Sequence, residues 1–236
     1  MRAVLPVRRI EADPLAVAPR DAWPATLPAV RQLLDDGLDL GPVTVITGEN
    51  GSGKSTLVEA LAIAYGLNPE GGSTGAQHVS RPTESTLGDH LRLIRGAGAP
   101  RKGFFLRAET MHAFYSYLEE VGFEEDLHGR SHGESFLDLV AARWRVRGLW
   151  LLDEPEAALS LSGCLALVRL LREQVERGSQ VVISTHSPVL AAHPGADLLE
   201  VGEWGIRSCA YDDLDLVRGW RGFLASPERF VADDGD

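Results

Sequence analysis

The fold class of this chain is decided by one stretch of eight residues, Gly48-Glu49-Asn50-Gly51-Ser52-Gly53-Lys54-Ser55. The stretch fits the pattern G-x-x-x-x-G-K-[ST] of a phosphate-binding loop, the Walker A motif. A strand pattern over Pro42–Thr47 leads into it, and a helix pattern over Thr56–Tyr65 leaves it. In that setting the glycines let backbone N–H groups turn toward a β-phosphate at the positive end of a helix. The stretch therefore predicts an α/β nucleotide-binding fold.

Lysine is scarce in this chain, which makes its use in the loop informative. Lys54 and Lys102 are the only two lysines, so a glycine-rich turn that contains lysine by chance is a poor explanation. We expect Lys54 to reach the β- and γ-phosphates of ATP and Ser55 to supply an oxygen to Mg²⁺. The other residues expected to hold the nucleotide here are Glu49, Asn50, Gly51, Ser52, Gly53 and Thr56.

Composition limits the classes of function. The 236 residues are 44% apolar, enough for one large core or a core with a modest helical subdomain. No apolar run approaches the ~18 residues of a membrane span, so we expect no stable membrane insertion. Cys164 and Cys209 suggest neither a disulfide framework nor a metal site. A reducing, cytoplasmic setting is the expectation.

The charge balance argues against broad affinity for nucleic acid, because the formal net charge is −11. A local basic face stays open as an alternative to ordinary solvated arginines. The residues that would form it are Arg81, Arg92, Arg95, Arg101, Lys102 and Arg107, with a second group at Arg143, Arg145 and Arg147.

Two further apolar runs end in polar residues. Gly148–Leu152 is followed by Asp153 and Glu154, the Walker B pattern, in which the first carboxylate serves Mg²⁺ and the second can orient the attacking water. The run over Gln180–Ser184 leads to His186, which can donate a hydrogen bond to a γ-phosphate. A lone histidine after a strand is more often structural, but the neighbouring motifs favour the functional interpretation.

Taken together, these motifs resemble the ATP-binding-cassette (ABC) ATPase family. Asp153–Ser160 (DEPEAALS) is similar to that family's Walker B and D-loop, and His186 follows at about the interval of its switch histidine. Ser131–Ser135 (SHGES) resembles a degenerate signature motif. The resemblance implies a head-to-tail dimer, in which signature residues of one copy close over the γ-phosphate held by the other. The signature residues that would do so are Ser131, Gly133 and Glu134.

The chain also resembles a small bacterial subgroup of soluble predicted ATPases that lack a transmembrane part and a coiled-coil arm. The shared stretches are Asn68–Gly72 (NPEGG), Phe104–Glu109 (FLRAE preceded by Phe), SHGES, DEPEAALS and Thr185–Pro188 (THSP). This resemblance covers nearly the whole length and supports an ATPase, but it implies no particular client.

Several positions depart from the wider ABC pattern. The expected Q-loop glutamine is missing after Gly103–Leu106, where the chain continues with Arg107 and Glu109. Glu109 could hold Mg²⁺ through water or pair with Arg107, and Arg107 could touch phosphate. His132 replaces a signature glycine, and Ser160 replaces the D-loop aspartate. For adenine stacking, Trp23 and Tyr65 are candidates, although core positions are commoner for such residues.

The expected organisation is a P-loop NTPase fold with a mostly parallel central sheet, ABC-ATPase-like, in one domain spanning residues 1–236. Residues 1–86 and 148–236 would form the nucleotide-binding core, beginning with a strand near Val4–Ile10. Residues 87–147 would form an inserted helical subdomain that carries the signature motif, since Leu87, Leu91 and Ile94 recur at helical spacing.

The expected function is hydrolysis of ATP to ADP and phosphate with Mg²⁺, with Lys54, Glu154 and His186 in the catalytic roles. An ATP-dependent homodimer would act as a switch on a protein or nucleic-acid client. Two alternatives stay open. One is the nucleotide-binding subunit of a membrane transporter, against which the missing glutamine argues. The other is a non-catalytic ATP-dependent binding module, against which Lys54 and Glu154 argue.

Overall fold

The computed structural model describes residues 4–69, 71–73, 86–107 and 147–231. Its strands are β1 (Arg9–Ala12), β2 (Leu38–Asp39), β3 (Val43–Gly48), β4 (Gly72–Ser73), β5 (Leu91–Ile94), β6 (Gly103–Arg107), β7 (Leu149–Asp153), β8 (Gln180–Ser184), β9 (Asp197–Gly202) and β10 (Gly205–Ser208). Its α-helices are α1 (Pro28–Asp36), α2 (Lys54–Tyr65), α3 (Leu161–Glu176), α4 (Pro188–Ala191), α5 (Asp215–Ala225) and α6 (Glu228–Val231), and 3₁₀ turns cover Thr86–His90, Pro155–Ala158 and Tyr211–Asp213.

The described strands form two sheets. The larger has the order β10-β9-β3-β8-β7-β6-β4, and its five inner strands are parallel. The two edge strands, β10 and β4, run antiparallel to their neighbours. A smaller antiparallel sheet has the order β2-β1-β5. The expected α/β fold with a mostly parallel central sheet is therefore confirmed.

The central strands β3, β7 and β8 are buried along almost their whole length because helices cover both faces of the sheet. In β7, Leu149 and Leu151 join the cluster beneath α1 and α2, while Trp150 and Leu152 join the opposite cluster with α3. This alternation is the two-residue period of an extended strand. The Trp150 ring meets Phe104 edge-on, with centroids 5.3 Å apart.

The parallel strands bring their carboxyl ends to one edge of the sheet. The register pairs Arg107 of β6 with Asp153 of β7, and Asp153 with Ser184 of β8. The loop after β3 lies beside β8 and β9 at the same edge. Four separate segments of the sequence therefore converge where ligands bind in open α/β sheets.

The expected opening strand at Val4–Ile10 is wrong in its bounds. Pro6 has no N–H to give to a ladder, and Val7 pairs with a side chain: its N–H donates to Gln180 Oε1 at 2.8 Å, and its carbonyl accepts from Gln180 Nε2 at 2.6 Å. The first regular strand is consequently Arg9–Ala12.

The expected helix over Leu87–Ile94 is also wrong. A 3₁₀ turn over Thr86–His90 presses Gly88 so closely on α2 that an added Cβ would lie 2.4 Å from Ile63 Cβ. The chain then extends as β5, which supplies the backbone partners of β1. Within the range expected for the helical subdomain, the described residues thus include the two strands β5 and β6. Residues 108–146 of the expected subdomain lie outside the described residues.

Within the described ranges, no helix combines the length and the apolar character needed to cross a membrane.

Candidate functional site

The phosphate-binding loop connects β3 to α2 and requires glycine at two points in particular. Gly48 has φ 146°, and a Cβ there would lie 2.2 Å from the Val201 carbonyl oxygen of β9. Gly53 has φ 103° and occupies the position before the first residue of α2. Both values favour glycine. The Ser52 hydroxyl is buried and has no hydrogen-bond partner among the described residues, which leaves a donor for an anion.

Lys54 is the first residue of α2, followed in its first turn by Ser55 and Thr56. It is only 3% exposed, and its Nζ donates to the Glu49 carbonyl at 2.9 Å. Burial lowers the pKa of Lys54, while the nearby charges of Glu154 and Asp153 act in the opposite direction. An ammonium in such a place gains from an incoming polyanion, because water solvates it poorly.

Asp153 lies at the end of β7 and is 4% exposed. Its Oδ1 accepts a short hydrogen bond from the Ser184 hydroxyl. Its Oδ2 lies 3.3 Å from Arg107 Nε, and Arg107 Nη1 also lies 3.0 Å from Glu59 Oε2 on α2. The carboxylate is therefore oriented by groups from β6 and β8.

Glu154 adopts a left-handed conformation, with φ 49° and ψ 48°. It is the one non-glycine residue with positive φ in the described part of the chain. Such backbone strain concentrates at functional sites. Its Oε1 lies 3.4 Å from His186 Nε2, and both side chains are about one-third exposed, at 35% and 33%. The predicted general base and the predicted switch histidine thus meet at the open side of the site.

Glu156 belongs to this site, although we gave it no role from the sequence. Its Oε1 accepts a short hydrogen bond from the His186 backbone N–H, and its Oε2 is buried with no partner in the described ranges. Burial raises the pKa of the Glu156 carboxyl. The only signal in the sequence is a second acid two residues after Glu154, and its contact with His186 depends on the turn over Pro155–Ala158.

A cavity of about 480 Å³ adjoins the loop. Its lining includes residues 48–52, His186, Leu27, Pro28 and Trp204, which lies in the turn between β9 and β10, and also the acidic residues Glu200, Glu203 and Asp215. Trp204 is 50% exposed, and the Arg207 guanidinium lies 4.0 Å from its ring centroid.

Neither predicted stacking residue lines this cavity. Trp23 is exposed elsewhere on the surface. Tyr65 is buried at the end of α2, and its hydroxyl oxygen lies 3.0 and 3.1 Å from the carbonyl oxygens of Pro100 and Lys102, either of which can accept its proton. Its role is therefore structural.

Three of the four described arginines of the basic segment are engaged within the protein, whereas the fourth, Arg101, is exposed, as is Lys102. Arg92 pairs with Glu11, Arg95 lies over the Tyr65 ring at 4.4 Å, and Arg107 pairs with Asp153 and Glu59. These contacts favour the structural interpretation for these three arginines. Arg81, Arg143 and Arg145 lie outside the described residues, as do the predicted site residues Glu109, Ser131, Gly133 and Glu134.

Comparison with known proteins identifies the family. A family model described as an AAA domain matches residues 30–95. The cytochrome c biogenesis ATP-binding export protein CcmA of Sodalis glossinidius is 32% identical over 166 residues, which cover 62% of this chain and 77% of the relative. The chain belongs to the ABC ATPase family. CcmA of Rhizobium meliloti is 31% identical over 185 residues, 70% of this chain and 86% of that protein.

A solved structure has the same fold. The structure of an inward-facing metal-chelate type ABC transporter aligns with a TM-score of 0.51 at 16% identity, covering 93% of this chain and 89% of that chain. Membership of the ABC family makes this protein a P-loop ATPase that binds ATP.

Proposed function

We propose that this ABC ATPase hydrolyses Mg²⁺·ATP in a head-to-tail dimer of two copies, with Glu154 as the general base, and that the dimer acts as a switch on a protein or nucleic-acid partner. The observation that carries the proposal is the contact between Glu154 and His186 at the open edge of the sheet, 3.4 Å apart, beside the buried Lys54. These groups suit an in-line attack of water on a γ-phosphate.

Each residue has a distinct role in this proposal. The loop N–H groups, the Ser52 hydroxyl and Lys54 would hold the phosphates. Glu154 would accept a hydrogen bond from the attacking water and take its proton. His186 and Lys54 would stabilise charge that develops on the transferring oxygens, a contribution that grows in a site shielded from water.

The residues also fit a magnesium ion. Ser55 and Asp153 offer oxygen atoms, which Mg²⁺ prefers, and Glu109 would add a ligand through water. In the described ranges, no cluster of three or more His, Cys, Asp or Glu side chains could hold a metal, which suits an ion that arrives with phosphate oxygens. When bound, Mg²⁺ would neutralise charge on the β- and γ-phosphates.

The nucleoside would occupy the cavity beside the loop. Its volume, about 480 Å³, falls in the range of small-molecule sites. Leu27 lies at the junction with the loop, because a Cβ on Gly53 would be 3.3 Å from Leu27 Cδ1. Leu27, Pro28 and the indole of Trp204 would give the base an apolar surface.

The dimer would complete a site that is open in one copy. Asn50 and Gly51 are exposed at the outer side of the loop, and Glu154 and His186 keep about a third of their surface. Ser131, Gly133 and Glu134 of the second copy would close over the γ-phosphate. Leu161 and Leu165, 66% and 45% exposed, follow the D-loop segment and would be covered in the same contact.

Replacing the proposed base tests the hydrolytic part of the proposal. Glu154→Gln should slow ATP turnover by ~10²-fold or more while leaving the affinity for ATP within about threefold of the wild type. Glu173→Gln, at an exposed position of α3, is the matched control and should turn over ATP normally. Unchanged turnover in Glu154→Gln would remove Glu154 as the base. Tight binding with no turnover in the wild type would favour the non-catalytic binding module.

A transporter subunit is the second candidate, and the names of the CcmA relatives, ATP-binding export proteins, favour it. Cell fractionation separates the two candidates. A transporter subunit should sediment with membranes and remain bound to a membrane protein after detergent extraction. A switch on nucleic acid should instead show ATP turnover that rises when DNA or RNA is added.

A further inference from the structure

We propose that Arg107 is a positioning residue that competes with Mg²⁺ for the Asp153 carboxylate, and that Glu59 is its alternative partner. This inference rests on the proposed function, because it takes Asp153 as a ligand of Mg²⁺. According to this inference, the positive charge of Arg107 at the end of β6 holds the Asp153 carboxylate until nucleotide and Mg²⁺ arrive.

The contacts define a chain of three charged groups across three elements. Arg107 Nε lies 3.3 Å from Asp153 Oδ2, and Arg107 Nη1 lies 3.0 Å from Glu59 Oε2. The strand register sets the first pair, since Arg107 and Asp153 are directly opposite in β6 and β7. The second pair ties the same guanidinium to α2, the helix that begins with Lys54.

Water screens these charges only weakly. The side chains of Asp153, Glu59 and Arg107 are 4%, 11% and 22% exposed. With Ser184 on Oδ1, both carboxylate oxygens of Asp153 contact protein groups. A divalent cation bound to Asp153 Oδ2 would be repelled by the positive charge of Arg107 at close range. Binding of the cation would therefore favour movement of the guanidinium away from Oδ2.

Glu59 gives the Arg107 guanidinium an alternative ion-pair partner. When Mg²⁺ takes the Asp153 carboxylate, Arg107 can keep its charge paired by remaining on Glu59, and no buried cation is left unpaired. Glu59 thereby weakens the hold of Arg107 on Asp153. If Glu59 lost its charge, Arg107 would bind Asp153 more strongly and oppose Mg²⁺ more.

The test compares variants that should shift Mg²⁺ dependence in opposite directions. Affinity for a fluorescent ATP analogue is measured with Mg²⁺ and with EDTA, and the ratio of the two affinities is the readout. Arg107→Gln should raise this ratio by at least about fivefold, as expected for removal of one nearby unit charge. Glu59→Gln should lower it. The double variant should match Arg107→Gln, because the inference has Glu59 influence Mg²⁺ binding through Arg107.

The ratio separates this role from a purely structural one. A folding defect lowers affinity with and without Mg²⁺ alike and leaves the ratio unchanged, and urea unfolding of each variant reports its stability directly. Arg107→Lys keeps the charge and should stay close to the wild type. Arg92→Gln is the control, since Arg92 is half-exposed and pairs with Glu11 in the smaller sheet.

Three results would overturn the inference: an unchanged or lower ratio in Arg107→Gln, a ratio that does not fall in Glu59→Gln, or additive effects in the double variant. Additivity would mean that Glu59 acts on the metal through space, independently of Arg107. A wild-type protein whose ATP affinity does not depend on Mg²⁺ would instead overturn the metal site of the proposed function.

Discussion

In the proposed site, nucleotide binding depends strongly on one side chain, that of Lys54. It is buried at the start of α2, and the other lysine, Lys102, lies exposed beyond the end of that helix, where only its carbonyl meets Tyr65. No second ammonium is therefore available to replace it.

Lys54→Ala should weaken ATP binding by at least ~30-fold, because truncating one member of a buried charge pair costs about 2–5 kcal/mol. Isothermal calorimetry with ATP measures the change. Lys102→Ala is the matched control and should bind as the wild type does. Comparable affinity in both variants would contradict the assignment of the loop.

Glu156 links the Walker B turn to the switch histidine through the backbone N–H of His186. Glu156→Ala removes the acceptor and leaves that N–H unsatisfied, at a cost of about 1–3 kcal/mol. We expect turnover to fall by about tenfold with little change in ATP affinity. Glu156→Gln keeps a carbonyl acceptor and should retain most of the activity. Equal losses of turnover in both variants would show that the charge of Glu156, and not this hydrogen bond, is what matters.

The buried carboxyl of Glu156 also predicts a pH effect on stability. Its pKa in the folded protein is raised above the ordinary 4.5, so its stabilising contribution is complete below that value and is lost as pH rises through the folded pKa. Glu156→Gln cannot ionise and lacks this loss. In urea unfolding, the wild type should therefore lose stability relative to Glu156→Gln between pH 4.5 and 8, and a constant difference would contradict the raised pKa.

At the scale of single residues, the sequence could predict the groups that define motifs but not those that depend on register. Local patterns single out Lys54, Asp153 and Glu154, and the order of these motifs along the chain singles out His186. The pairing of Arg107 with Asp153 follows from the alignment of β6 with β7, and no local pattern in the sequence contains that alignment.

At the scale of elements, the loop between β3 and α2 needs glycine for two different reasons. Gly48 is confined by the backbone of β9, whereas Gly51, at φ 77°, has nothing within 4 Å of an added Cβ. Of these two glycines, only Gly48 combines a positive φ with a lack of space for a side chain.

Gly51→Ala should cost about 1–2 kcal/mol for its left-handed backbone, while Gly48→Ala should cost clearly more, because the Val201 carbonyl must also move. Chemical denaturation of the two variants measures the difference in unfolding free energy. Equal losses would mean that the end of β9 yields freely to the added methyl group.

The strands that form the centre of the sheet were predicted correctly. The wrong predictions concern segments whose secondary structure is set by pairing with a distant strand. The patterns at β3, β7 and β8 gave the right strands because strands that are buried on both faces carry short, mainly apolar runs. Leu87, Leu91 and Ile94 have helical spacing, yet β1 needs a partner strand and recruits Leu91–Ile94. Propensity is a weak guide against such a demand.

At the scale of the whole molecule, the proposal depends on a second copy. In one copy, the groups proposed to bind phosphate and metal and to orient water lie at a single sheet edge, where Glu154 and His186 stay about one-third exposed. Hydrolysis in the proposed mechanism requires this edge to be covered, since charge stabilisation there depends on the exclusion of water.

The most direct test is the solution mass of the Glu154→Gln protein with and without ATP and Mg²⁺, measured by light scattering, with the Lys54→Ala, Glu154→Gln double variant as control. We predict a monomer without nucleotide, a dimer with ATP and Mg²⁺, and a monomer under both conditions for the double variant. A Glu154→Gln protein that binds ATP and Mg²⁺ yet keeps the mass of one chain would contradict the composite site of two copies.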